Sequence, residues 1–150
     1  LTITENDTTG SLHDKLSDLG AEAITEVLED LPNSTPTTQA EEGVKYAHKI
    51  EKSEAKIDWT LSAVGIKNHI HGLSPFPGAW CEMDGKRLKV LAVEIINDKG
   101  NPGEMIAMPL VIACGNGAIS VIRAQRAGKG PMDVKALMNG FGAHVGTQFS

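Results

Sequence analysis

Between residues 80 and 125 the chain is cut by turn formers into runs too short for helices, and the runs alternate as strands do. Residues 80–83 lead into Asp84-Gly85, a pair suited to a two-residue hairpin because both positions accept positive φ. Residues 86–96 form the predicted return strand, with Leu88, Val90 and Ala92 on one face. A loop rich in turn formers fills 97–103. Residues 104–108, 110–114 and 118–125 bring the set to five strands, the last two joined by Gly115-Asn116-Gly117. Five short strands suit a small closed barrel, since closure removes exposed sheet edges.

Helices flank this β region. Leu12, Leu16 and Leu19, then Ile24, Val27, Leu28 and Leu31, recur at helical spacing and predict a helix over 8–31. Asp7, Thr8 or Thr9 supplies its cap, Gly20 predicts a bend or split, and Pro32 ends it. Residues 32–43 are polar and poor in core formers, which makes them a linker or extended strap. Residues 46–50 read as a short extended segment. Thr60 or Ser62 caps a second helix running to about Leu73, with Leu61, Val64 and Ile70 as its apolar face, and Gly72 and Pro75 ending it. Pro75-Phe76-Pro77-Gly78 is a rigid turn. A last helix runs from Asp133 to Asn139 and stops at Gly140.

Charge divides the chain. Residues 1–42 hold ten acids and one base, whereas residues 43–150 hold thirteen bases and nine acids. An acidic arm joined to a mildly basic domain suits a polyanionic partner for the basic half. The cations fall in three groups: Lys45, Lys49, Lys52 and Lys56 along the strap; Lys86, Arg87 and Lys89 after the hairpin turn; and Arg123, Arg126 and Lys129 around Ala127-Gly128-Lys129-Gly130. Glycine-containing loops let backbone and lysine approach a phosphate closely. The chain has six aromatic residues, so base-stacking platforms are expected to be sparse.

Several chemistries are excluded. His69 and His71 are two apart, so a helix points them to opposite sides and one metal cannot take both. Gly115-Asn116-Gly117 joins two strands and is no phosphate loop, and no serine lies in a Gly-x-Ser-x-Gly elbow. Asp58, beside Trp59, has the chemistry of a catalytic carboxylate, and the favoured reading is a turn or cap acid that fixes the entry to the following helix. Cys81 and Cys114 lack metal-ligand spacing and read as reduced core thiols. No run reaches the roughly 18 apolar residues needed to cross a bilayer. Leu1 in first place, with no basic stretch leading into an apolar one, reads as no signal peptide and as a cut made inside a longer protein. No catalytic set emerges.

Three stretches resemble the methionyl-tRNA formyltransferase family. Tyr46-Ala47-His48-Lys49-Ile50, followed by Glu54-Ala55-Lys56-Ile57-Asp58-Trp59, is similar to its linker. Ile70-His71-Gly72-Leu73-Ser74-Pro75-Phe76-Pro77-Gly78-Ala79-Trp80 is similar to its Pro-x-Pro-Gly-Ala-Trp region. Gln125-Arg126-Ala127-Gly128-Lys129 is similar to its Gln-x-Ala-Gly-Lys run, and the helix after Thr8 resembles the one that leaves the family's catalytic domain. The likeness runs from about residue 3 to 148. It implies a cytoplasmic, bacterial or organellar, monomeric parent enzyme of translation initiation. That enzyme moves a formyl group from 10-formyltetrahydrofolate to the amino group of initiator methionyl-tRNA.

On this reading residues 1–31 are the helical tail of the catalytic domain, 32–45 the linker, and 46–150 an OB-like five-stranded barrel that holds tRNA through the ten cations named above. The resemblance implies no cofactor and no catalytic residue here. The family's catalytic Asn-x-His, its Asp and its folate-binding Ser-Leu-Leu-Pro belong upstream, and Asn68-His69 does not match them. The expected partners are initiator methionyl-tRNA and the chain's own catalytic domain, with no membrane. The sequence departs from the family at Gly130, His71 and Gln148, each replacing a base common there. The alternative is the equivalent domain of a formyltetrahydrofolate dehydrogenase or a nucleotide-sugar formyltransferase, without tRNA binding.

Overall fold

A computed structural model describes all 150 residues. Its centre is an antiparallel sheet of six strands: β1 (Ala79–Met83), β2 (Lys86–Ile96), β3 (Met105–Ala107), β4 (Val111–Ala113), β5 (Ala118–Arg126) and β6 (Met132–Asp133). The hydrogen-bonded order is β1-β2-β5-β4-β3, with β6 added beside β5. Three helices flank it: α1 (Thr9–Glu29), α2 (Ala63–Leu73) and α3 (Val134–Met138). The mainly β class with flanking helices holds. Two details differ from expectation: a two-residue sixth strand is present, and the sheet does not close.

The open edges are covered in another way. On the outer edge of β1, Trp80 N–H donates to Ala55 C=O and Ile57 N–H to Trp80 C=O, both 2.8 Å, so residues 55–57 lie alongside it. The C-terminal segment spans from one edge to the other. Phe149 N–H bonds Gly103 C=O beside β3 (2.8 Å), while Ser150 and Glu82 exchange a backbone pair on β1 (2.8 and 3.0 Å). Irregular chain thus satisfies edge groups that a closed barrel would pair strand to strand.

Local chemistry accounts for most boundaries. Asp84 (φ 51°) and Gly85 (φ 70°) form the β1–β2 turn. Register irregularities around Ala92 mark a bulge in β2, which places Val93 in the core where strict alternation would put Ala92. There Val93 N–H donates to His71 Nε2 (3.3 Å). α2 is capped by Ser62, whose Oγ accepts from Gly65 N–H (3.2 Å). Its buried face is Ala63, Ile66, Ile70 and Leu73, which pack on the sheet. The expected face is corrected here: Leu61 and Val64 are exposed and only Ile70 is inside. The helix rotates to the side that meets β2, and periodicity alone does not choose between neighbouring stripes.

α1 runs unbroken through Gly20. Thr8 and Ser11 form a reciprocal capping pair at its start. No residue of α1 is buried, and Leu16, Leu19, Ile24, Val27 and Leu28 all face water. It joins the body only at its first turn, where Gly10 N–H bonds Ser74 C=O (2.9 Å). No helix is long and apolar enough to cross a membrane.

Candidate functional site

The β1–β2 hairpin sets the first part of the site. Its register places Trp80 opposite Lys89 and Glu82 opposite Arg87, so all four side chains leave one face of the sheet. The Arg87 guanidinium lies 3.8 Å from the centre of the Trp80 ring and 3.9 Å from a Glu82 oxygen. Lys56 Nζ lies 5.6 Å from the same ring. That placement follows from the edge pairing of residues 55–57 with β1. Trp80 Nε1–H also donates to Lys52 C=O (3.1 Å), which fastens the strap to the sheet.

Two further elements extend this face. Lys89 Nζ donates to Pro77 C=O (2.7 Å), tying the hairpin to the Pro75–Gly78 turn. Gly78 takes φ 83° there, with the Lys89 stem packed close to its Cα. Gln125 pairs with Lys89 across β2 and β5. Its amide donates to Lys129 C=O (2.7 Å), and Lys129 N–H bonds Arg126 C=O (3.0 Å), so the glycine-containing loop is a tight turn. The Arg126 guanidinium stands 5.7 Å over Phe141.

Two depressions result. One, of about 260 Å³, is lined by Arg87, Lys89, Gln125, Arg126, Ala127 and Gly128. The other, of about 600 Å³, is lined by Lys49, Ile50, Lys52, Ala55, Phe76, Pro77, Gly78, Trp80, Arg87 and Lys89. Arg87 and Lys89 belong to both, so the two form one surface.

Of the ten cations singled out in the sequence, six are therefore brought together: Lys49, Lys52, Lys56, Arg87, Lys89 and Arg126. Lys56 lines neither depression but stands over the Trp80 ring, which lines the larger one; the other four do neither. Lys45 is exposed on the strap, and Lys86 closes the hairpin opposite Met83. Arg123 stands opposite Asp133 of β6, and Lys129 is exposed in its turn. Sequence reasoning missed Phe76, Trp80 and Gln125. A signal for Phe76 was present: flanking prolines deny that ring both a helix and a strand in which to be buried.

Asp58, Cys81, Cys114 and His71 have structural roles away from this surface. Asp58 accepts from Thr60 N–H and Oγ1 (3.0 and 2.6 Å), and these bonds hold its carboxyl below the usual range. Burial pushes the Cys81 thiol up to about 12 and the Cys114 thiol up to about 11, so neither is a nucleophile near neutral pH. Burial lowers His71, with the Lys67 charge adding to the effect.

Residues 49–142 match the family described as formyl transferase, C-terminal domain. The methionyl-tRNA formyltransferase of Ruegeria pomeroyi is 51% identical over 146 residues, covering 97% of this chain and 48% of that protein. That of Jannaschia sp. is 50% identical over 145 residues, with the same coverage of 97% and 48%. The chain thus spans about half the length of the curated relatives it matches. Among solved structures, a variant of HypX from Aquifex aeolicus superposes with TM-score 0.74 at 19% identity, over 94% of this chain and 27% of that one. At that identity the likeness speaks to the fold alone.

Proposed function

The chain belongs to the formyl transferase C-terminal domain family, and from there we propose that it is the tRNA-holding part of a methionyl-tRNA formyltransferase. Residues 1–31 are the tail of the catalytic domain, 32–45 the linker and 46–150 the tRNA-binding domain. The whole enzyme moves the formyl group of 10-formyltetrahydrofolate onto the amino group of initiator methionyl-tRNA. This portion supplies no group to the reaction. It grips the phosphate rail and orients the aminoacyl end toward the formyl donor, converting an encounter into a positioned complex.

The observation that carries this reading is the gathering of six cations, from strap, hairpin and β5, on one continuous surface. Structured RNA is recognised largely through its backbone, and such a surface needs no base readout to bind it. Relatives at about half identity named methionyl-tRNA formyltransferase favour this over a dehydrogenase or sugar-modifying parent.

A gel-shift series with a tRNA transcript over a range of salt tests it. Each neutralised phosphate contributes roughly 0.7–0.9 to the slope of log affinity against log salt. The expected result is a steep fall, with Arg126→Glu weakening binding more than Lys99→Glu. Absence of binding at low salt, or salt-insensitive binding, overturns the reading.

A further inference from the structure

The larger depression carries an apolar component that a phosphate rail does not require. Ile50, Phe76 and Pro77 line it beside Lys49, Lys52 and Lys89. Phe76 is 80% exposed, whereas Phe141 and Phe149 are in the core. The turn that bears Phe76 is braced at both ends, by Gly78 N–H on Leu73 C=O (2.8 Å) and by Lys89 Nζ on Pro77 C=O (2.7 Å). The ring is thus held out in water next to cations. The Trp80 ring is already covered by the Arg87 guanidinium at 3.8 Å, so Phe76 is the open aromatic face.

A base-paired helix hides its bases and offers this surface only phosphates. An unpaired nucleotide offers a phosphate and a flat base together, and aromatic side chains beside cations match that pair. We propose that this groove seats an unpaired nucleotide of the bound RNA, with its base on the Phe76 ring and its phosphate among Lys49, Lys52 and Lys89. The inference rests on the RNA-binding reading above.

The test uses the 150-residue chain and two labelled RNAs, a short oligoadenylate and a blunt duplex. Phe76→Ala is expected to weaken oligoadenylate binding about tenfold, the scale of one lost base–aromatic stack, and to change duplex binding by less than about twofold. Phe76→Tyr, which keeps the flat ring, retains oligoadenylate binding. Lys49→Glu with Lys52→Glu weakens both RNAs. Equal effects of Phe76→Ala on the two RNAs, or no effect on either, overturn the nucleotide site and leave the RNA reading standing. Binding of neither RNA by the unaltered chain at low salt overturns both. A dimer seen by sedimentation and abolished by Phe76→Ala also overturns the nucleotide site, because a second copy then fills the groove.

Discussion

Gly115 offers a sharp test of how the segment leading into α2 is fixed to the sheet. Its N–H donates to both Trp59 C=O and Leu61 C=O at 2.8 Å, and a Cβ built on it collides with the Thr60 carbonyl carbon and oxygen. The obstacle is backbone on both sides, so no flexible side chain can yield. Gly115→Ala therefore forces the β4–β5 turn away from residues 59–61 and loses at least one of the two bonds. Overpacking of this kind costs 1–3 kcal/mol and a lost buried bond about 1 more, so about 3 kcal/mol is expected. For a chain of this size that lowers Tm by roughly 10 °C. Two controls separate the close approach from generic loss of glycine. Gly128 has φ 72° but open space around it, so Gly128→Ala costs only about 1–2 kcal/mol, from left-handed backbone alone. Gly20 lies in exposed α1 with nothing nearby, so Gly20→Ala gains helix propensity of about 1 kcal/mol in that helix. Urea unfolding followed by the emission of Trp59 and Trp80 gives the first two values, and amide exchange along α1 gives the third. If Gly115→Ala costs no more than Gly128→Ala, the contact between the turn and residues 59–61 is not as described.

His71 and the cysteines give two further tests. Burial depresses His71 below its ordinary 6.5 while its Nε2 accepts from Val93, so the unfolded chain takes up a proton that the native chain refuses. Its stabilising contribution is full above about 6.5 and is lost as pH falls through the depressed value. Stability should decline as pH falls below about 6.5, and His71→Gln should flatten that slope; an unchanged slope refutes the assignment. With their thiols raised to about 12 and 11, Cys81 and Cys114 should resist a thiol reagent at pH 8 in the native chain and both react in denaturant. Rapid reaction without denaturant would mean that the core opens around them.

Much of the fold was legible because its signals are local. Asp84-Gly85 and Gly115-Asn116-Gly117 announce turns whatever surrounds them, and the strands between them follow at nearly the expected places. What was not legible depends on partners distant in sequence. The face of α2 is set by β2, and the shift to Val93 by a bulge that alternation conceals. Closure was inferred from the liability of open edges, a sound premise met here by residues 55–57 and 148–150, which carry no strand pattern. The site divides the same way. Cations are visible as letters, but which six converge is decided by edge pairing and cross-strand register. Six aromatics predict sparse stacking platforms, yet position rather than number makes Phe76 and Trp80 part of the surface.

The three departures from the family pattern can now be weighed by place. Each substitutes an uncharged or weakly basic residue for a base, and in the sequence each reads as a loss of grip. His71 is buried and occupied with Val93, so charge at that position is not on the cationic surface. Gln148 donates to Pro102 C=O (2.8 Å) and helps hold the C-terminal segment against the β3 edge. Only Gly130 belongs to the loop beside Lys129, and it lines neither depression. None of the six converging cations is among the three. The charge given up therefore lies outside the gathered surface on which the ionic grip is proposed.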